Sequence, residues 1–444
     1  MKKFSSLFLC LLLIFGICFS FAGCNNKRAE VYLLNFKPES AKVYEEIAKV
    51  YEEETGVAVK VVTAAANTYE QTLKSEVAKN DAPTIFQVNG PIGFQTWKDY
   101  CADLTDTKLY SYLSDKDLAI KDNDRVYAIP YVVEGYGIIY NNAIMQKYFS
   151  LPEKKTELDS VDDIDSFEEL KNVVEDMTAN KEKLGIDGVF ASTSLAGGED
   201  WRWQSHLANV PIYYEFGENT DTDPTLNVVN ASEIAFKYAD NFKNIFDLYV
   251  NNSVTAKTLL GSKSVNDSMA EFALGKCAMV QNGTWAWSQI SEVKGNTVKA
   301  EDIGILPIYM GIEGEEDSGI CIGTESYIAI NSKVSEDKQK KSIDFLNWLY
   351  SSETGKKYVK EQLGFATPFN TFSENEQPND PLAREMARYI KNEEIETIPW
   401  VFAGFPSENF KTTFGDALLQ YVQGNKTFDE IKETVKNKWQ SERK

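Results

Sequence analysis

From Val31 onward the chain alternates between two kinds of segment, and that alternation limits the folds open to it. VYLLNF is an uninterrupted apolar run of strand length, and KPESAKVYEEIAKVYEEETG sets Val43, Ile47, Val50 and Tyr51 at helical spacing before Gly56 stops it. VAVKVVTA and TIFQVN are further β-rich runs, separated by the helical TYEQTLKSEVAKN. Strand, helix, strand, helix predicts an α/β fold. Its ligand crevice would lie at the carboxyl ends of the strands, in the loops 36–39 and 87–93. Longer helices follow: ASEIAFKYADNFKNIFDLYVNN is amphipathic, and DKQKKSIDFLNWLYSSETGKKYVKEQLG reads as two helices meeting at Ser351 and Ser352. A chain of 444 residues exceeds what one core supports, so two packed lobes are expected. No segment has the length and composition of a flexible interdomain linker.

The amino terminus, MKKFSSLFLCLLLIFGICFSFAGC, carries two lysines, an apolar stretch and small residues before Cys24, which predicts a secretory signal over 1–23. The AGC ending resembles the bacterial lipobox, which implies cleavage before Cys24 and acylation of that cysteine. Residues 24–30 then form a polar tether. The remaining cysteines, Cys101, Cys277 and Cys321, are an odd number without CxxC spacing, so isolated buried thiols are expected rather than disulfides or a thiolate metal site. The formal charge is −21, or −23 once Lys2 and Lys3 leave with the signal. Such an acidic chain repels phosphate backbones, which argues against nucleic acid and polyanionic ligands. Walker A, GxGxxG, HExxH and GxSxG patterns are absent, and no cofactor or metal is expected.

Two stretches concentrate aromatic residues. In CAMVQNGTWAW, Trp285 falls at the first turn of a helix after a strand, with Thr284 as its N-cap, while Trp287 points elsewhere and packs. In GGEDWRWQSHLANVPIYYEF, Glu199 and Asp200 suit a first helical turn, Trp201 follows, and Arg202 is placed to orient either acid. Trp203 and Leu207 are four apart and face a core. His206 is the only histidine, which removes the usual components of zinc or Ser-His-Asp chemistry and leaves it a structural role. Glu134, inside the apolar IPYVVEGYGIIY, needs a partner, either a ligand or an arginine. Trp400, Phe402, Phe405 and Phe410 form a late cluster that either extends an aromatic platform or packs the last helix.

In order along the chain, VYAIPYVVEGYGIIYNN, EFALGKCAMVQNGTWAW, IGILPIY and ESYIAINSKVSEDKQKKSIDFLNWLYSSETGKKYVKEQLGFATPF resemble segments of the extracellular solute-binding proteins of bacterial carbohydrate ABC importers, of the maltodextrin and multiple-sugar type. That resemblance implies a two-lobed, periplasmic-binding-protein-like α/β fold of type II. Three crossovers would lie near 131–135, 306–309 and 364–368. One lobe would comprise 31–131 with 310–363, the other 135–305 with 367–444. It further implies a lipid-anchored monomer, not an enzyme, that binds an oligosaccharide, an α-glucan by family likeness, and passes it to ABC permease subunits. By the same likeness Trp285 and Trp201 stack on sugar, and Glu134, Glu199, Lys37, Glu39, Gln87 and Asn89 reach hydroxyls. Asp200, beside Glu199, and Trp400, if the late cluster extends the platform, are further candidates for ligand contact. Gln87 stands where the best-known maltodextrin binders have a stacking tryptophan, and Gly90 where they have an acid. Competing readings are a glycoside hydrolase using Glu134 with Glu199 as paired carboxylates, and a surface adhesin without a small ligand.

Overall fold

The computed structural model describes residues 29–65, 68–217, 223–373, 376 and 378–443; the signal, Cys24 and most of the tether lie outside the described residues. Eleven strands are described: β1 (Val31–Asn35), β2 (Val59–Thr63), β3 (Ile85–Asn89), β4 (Ile120–Asp122), β5 (Arg125–Pro130), β6 (Glu134–Asn141), β7 (Met279–Gly283), β8 (Ile303–Leu306), β9 (Ser318–Gly323), β10 (Ser326–Ile330) and β11 (Glu396–Pro399). They form two sheets. One has the order β2-β1-β3-β10-β5-β4, and the other runs β11-β9-β6-β7 with β8 also on β6.

In the first sheet β1 lies parallel to β2 and β3, as the strand-helix alternation requires, and β10 enters antiparallel with Ser326 opposite Asn89. Every residue of β1 and β10 is buried because helices cover both faces, which explains why these strands read as unbroken apolar runs. In the second sheet β6 is buried along its whole length and pairs antiparallel with β7, β8 and β9. Separate apolar clusters fill the two halves. Ile47, Ile129, Phe345 and Tyr350 centre one, while Trp203, Phe246, Phe414 and Trp439 centre the other.

The chain passes between sheets three times. The first passage runs from Tyr131 to Val133, and Val133 pairs with Ala366. The second differs. It was expected at 306–309, with 310–363 in the first lobe, but Met310 and Ile312 pack in the second-lobe core and β9 pairs with β6, Glu134 facing Gly323. The crossing is made by Thr324 and Glu325 alone, between β9 and β10. IGILPIY is a short strand whose end remains on the second lobe, and an apolar run carries no sign of which sheet accepts it. The third passage also runs later than 364–368, since Phe369 and Phe372 still pack on the first lobe and Leu382 is the first residue after them in the second-lobe core. The helices Glu336–Ser351 and Glu353–Glu361 meet at Ser352, whose side chain caps the second. Cys101, Cys277 and Cys321 are buried free thiols.

This topology aligns one edge of each sheet. Asn35, Asn89 and Ser326 end the first sheet where Glu134, Gly283, Gly323 and Pro399 end the second, and the lobes touch where the helix Gly90–Trp97 meets the turn Val401–Gly404.

Candidate functional site

The second lobe presents an aromatic platform at that edge. β7 ends at Gly283, and the Trp285 indole folds back across it so closely that a Cβ on residue 283 would fall inside the ring. The Asn-Gly pair therefore serves the tryptophan as well as the turn. Trp400 lies across Gly323 at the end of β9 in the same manner. Around Trp285 the ring centroids of Trp201, His206, Tyr136 and Trp400 stand at 5.9, 6.0, 6.1 and 6.4 Å. Trp285 and Trp201 are partly exposed and Trp400 is buried, with its indole N–H lacking an acceptor among the described residues. Thr284 does not cap the short helix Ala286–Ser291. Its amide donates to Gly135 O (2.9 Å) and its hydroxyl accepts from Gly135 N (3.1 Å), which ties the tryptophan turn to the start of β6.

Trp201 opens a π-helix, Arg202–Leu207, of the kind that recurs at functional sites. Pro211 follows it. A proline there cannot donate to the Leu207 carbonyl and its ring crowds that oxygen, so the preceding turns widen. His206 packs on Phe402, Trp201 and Tyr136, and burial pulls its imidazole well below the ordinary pKa, so it is neutral. Trp203 and Leu207 are core residues, Trp287 packs in a neighbouring cluster, and Phe402, Phe405 and Phe410 belong to the second-lobe core.

Lys37 arrives from the first lobe. Asn35, at the end of β1, holds its loop: the Asn35 side chain accepts from Lys37 N (3.0 Å) and donates to Lys37 O (2.8 Å) and Thr63 Oγ1 (3.1 Å). The Lys37 ammonium donates to Glu134 Oε1 at 2.8 Å, with both side chains buried, and stands 5.8 Å from the Trp285 ring centre. Desolvation pulls the lysine pKa down, but Glu134 and Glu39 more than offset it and hold it above the ordinary value. Glu134 thus finds the partner its apolar surroundings demand, a lysine from the other lobe. Glu39 is open to solvent yet set between the lobes; desolvation raises its carboxyl, opposed by Lys37.

The other polar candidates are engaged within the protein. Gln87 accepts from Tyr131 OH (2.6 Å) and donates to Asn89 Oδ1 (3.0 Å), and it is buried in the first lobe. Glu199 accepts from Val265 N at the start of the helix Val265–Ala273. Asp200 is buried, accepts from Gly198 N (3.1 Å) and abuts Gly415 of the helix Glu408–Val422. The structure therefore brings together Trp285, Trp201, Trp400, Lys37, Glu134 and Glu39, and gives Gln87, Asn89, Glu199 and Asp200 intramolecular partners.

Burial raises the Asp200 carboxyl to about 6 from its ordinary 3.8, against the opposing pull of the Gly198 and Asp200 amides. A folded-state pKa above the unfolded one means that stability is lost as pH rises through about 4 to 6. Asp200→Asn keeps the bond from Gly198 and removes the charge. It should leave thermal stability at pH 4 unchanged and raise Tm by a few degrees above pH 7, measured by calorimetry.

Glu325, in the second crossover, is an acid that the sequence reading did not single out. Desolvation raises its carboxyl to about 7 despite Lys411, with Glu408 adding to the rise and Lys37 opposing it. Lys411, 2.8 Å from Glu408, thus looks from the second lobe toward the crossover. An acid directly before the strand SYIAI was the available signal, obscured because the crossover was placed earlier.

A family model described as bacterial extracellular solute-binding protein matches residues 46–385. Among solved structures, RafE in complex with raffinose is 19% identical, covers 93% of this chain and 99% of its own, and superposes with a TM-score of 0.69. T. maritima MalE3 with maltose bound is 14% identical over 93% of this chain and 99% of its own, TM-score 0.67. A sugar transporter protein from Bacillus licheniformis in complex with stachyose is 19% identical over 93% and 100%, TM-score 0.62. At these identities the likeness shows the shared fold.

Proposed function

We propose, because the chain belongs to the bacterial extracellular solute-binding proteins, that it captures a neutral oligosaccharide between its lobes and hands it to an ABC permease from a lipid anchor at Cys24. The observation that carries this reading is the meeting of an aromatic platform, Trp285 with Trp201, and an interlobe charge pair, Lys37 with Glu134, at one seam. Sugar rings offer apolar C–H faces and a rim of hydroxyls. Indoles cover the first at little entropic cost, and charged groups satisfy the second more strongly than neutral ones. Raffinose, maltose and stachyose, the ligands of the structures above, are uncharged sugars of this kind, and an α-glucan fragment is the first ligand to try. Binding favours the closed arrangement, in which ligand touches both lobes, and the permease reads that arrangement.

A thermal-shift screen with uncharged di- to hexasaccharides, followed by calorimetry, tests this reading. One glycan family should raise Tm with micromolar or tighter affinity, and the recovered glycan should keep its length. Shortened products would instead indicate hydrolysis, and no shift with any glycan would remove the sugar reading.

A further inference from the structure

Arg202 is a charged group that the aromatic platform leaves without a purpose. It is 3% exposed, and its Nε is buried with no partner. Among the described residues no carboxylate pairs with its guanidinium, which lies 4.0 Å over the Trp201 ring. The acids that act on it do so from a distance. Glu199 is held by the Val265 amide, and Glu39 approaches from the first lobe without closing an ion pair. A buried unpaired guanidinium is strongly destabilising, so its presence beside the seam calls for an outside partner.

We propose that Arg202 is a specificity-determining residue that donates two parallel hydrogen bonds to adjacent hydroxyl oxygens of an uncharged pyranose stacked at Trp201 and Trp285, while Glu39 accepts hydroxyl protons from the opposite lobe. This rests on the sugar-receptor reading. The planar fork of a guanidinium suits two neighbouring oxygens, and its position 4.0 Å over the Trp201 ring sets it beside the face on which a pyranose would stack. The charge pattern selects an uncharged ring. Glu134 already occupies Lys37, and Glu199 and Glu39 both act on Arg202 from a distance, so a ligand carboxylate at Arg202 would enter the field of acids already present. A hydroxyl both accepts from the guanidinium and donates to the carboxylate, which couples the lobes through one ligand group.

The test uses calorimetry on the full mature chain with the glycan that gives the largest thermal shift, and with its deoxy congeners. Arg202→Met should weaken binding about 30-fold, with Tm unchanged or raised because an unpaired charge has been removed. Arg202→Lys, which keeps the charge but not the fork, should recover little of that loss. Removing either of two adjacent hydroxyls should weaken wild-type binding about tenfold and leave Arg202→Met binding unaffected. The proposal is overturned by wild-type affinity in Arg202→Met, by a deoxy penalty that persists in that variant, or by full rescue with lysine. It is also overturned if uronate-bearing glycans bind more tightly than neutral ones in an Arg202-dependent way. If Arg202→Met does not fold, the lysine variant and the deoxy series on wild type still decide. A wild type that binds no glycan overturns the receptor reading itself, a separate outcome.

Discussion

Trp285→Ala should weaken glycan binding about 100-fold while lowering Tm by no more than about 5 °C. An indole contributes roughly 150–250 Å² of apolar surface, and covering half of it with a sugar face at about 25 cal/mol per Å² supplies roughly 2 to 3 kcal/mol, a factor near 100 in affinity. The stability cost is smaller because Trp285 is partly exposed and meets its aromatic neighbours at centroid distances of 5.9 to 6.4 Å, lying across Gly283 instead of filling a core hole. Trp203→Ala is the contrasting control. That ring is fully buried, its indole donates to Ser194 O at 2.8 Å, and it packs edge-on to Phe246 and Tyr249. Its loss should cost about 3 to 5 kcal/mol and lower Tm several times further. Calorimetric titration and scanning calorimetry on both variants check the pair. Unchanged affinity in Trp285→Ala would take the residue out of the site.

The elements set by local rules were legible from sequence, and those set by long-range pairing were not. Period and punctuation give β1, the helix after it ending at Gly56, and the two helices meeting at Ser352, because each depends on residues within a few positions. Which sheet accepts β9 depends on β6, almost two hundred residues earlier, and nothing in SGICIG encodes that partner. The same limit divides the site. Trp285 was legible because Asn-Gly before a tryptophan is a local oddity with a local cause. Lys37 could be placed in a strand-end loop, but its partner Glu134 could not be named, since the two meet only when the sheet edges face each other. Glu199 and Asp200 stand where a helix-start pattern puts acids, yet Glu199 is taken up by the distant Val265 amide, while Asp200 accepts from the nearby Gly198 amide and is buried against Gly415. Residue type and spacing identify candidates. Their hydrogen-bond partners, a tertiary property, separate those facing the seam from those already satisfied.

Removing Glu134 alone and removing it together with Lys37 should have opposite consequences. The pair is 2.8 Å apart, with side chains 7% and 6% exposed, so Glu134→Ala strands a buried ammonium at a cost of about 3 to 5 kcal/mol. The fold has an escape, because Lys37 hangs from the first sheet and Glu134 begins β6 of the second: separating the lobes returns the ammonium to water. Glu134→Ala should therefore enlarge the radius of gyration in solution scattering and weaken glycan binding by at least 100-fold, since closing over the ligand must bury the lysine again. Replacing the pair with Lys37→Met and Glu134→Leu keeps an apolar contact of similar volume and should restore the compact radius and the wild-type Tm. Affinity should stay low in that double variant, since neither side chain can satisfy a sugar hydroxyl. A double variant that binds like wild type would make the pair a fastener only, and a single variant that neither opens nor loses stability would show that the pair does not hold the lobes. Salt provides an independent check. A pair this deeply enclosed is little screened, so the compact radius of the wild type should persist from low ionic strength to about 0.5 M, whereas lobes held by exposed charges would drift apart over that range.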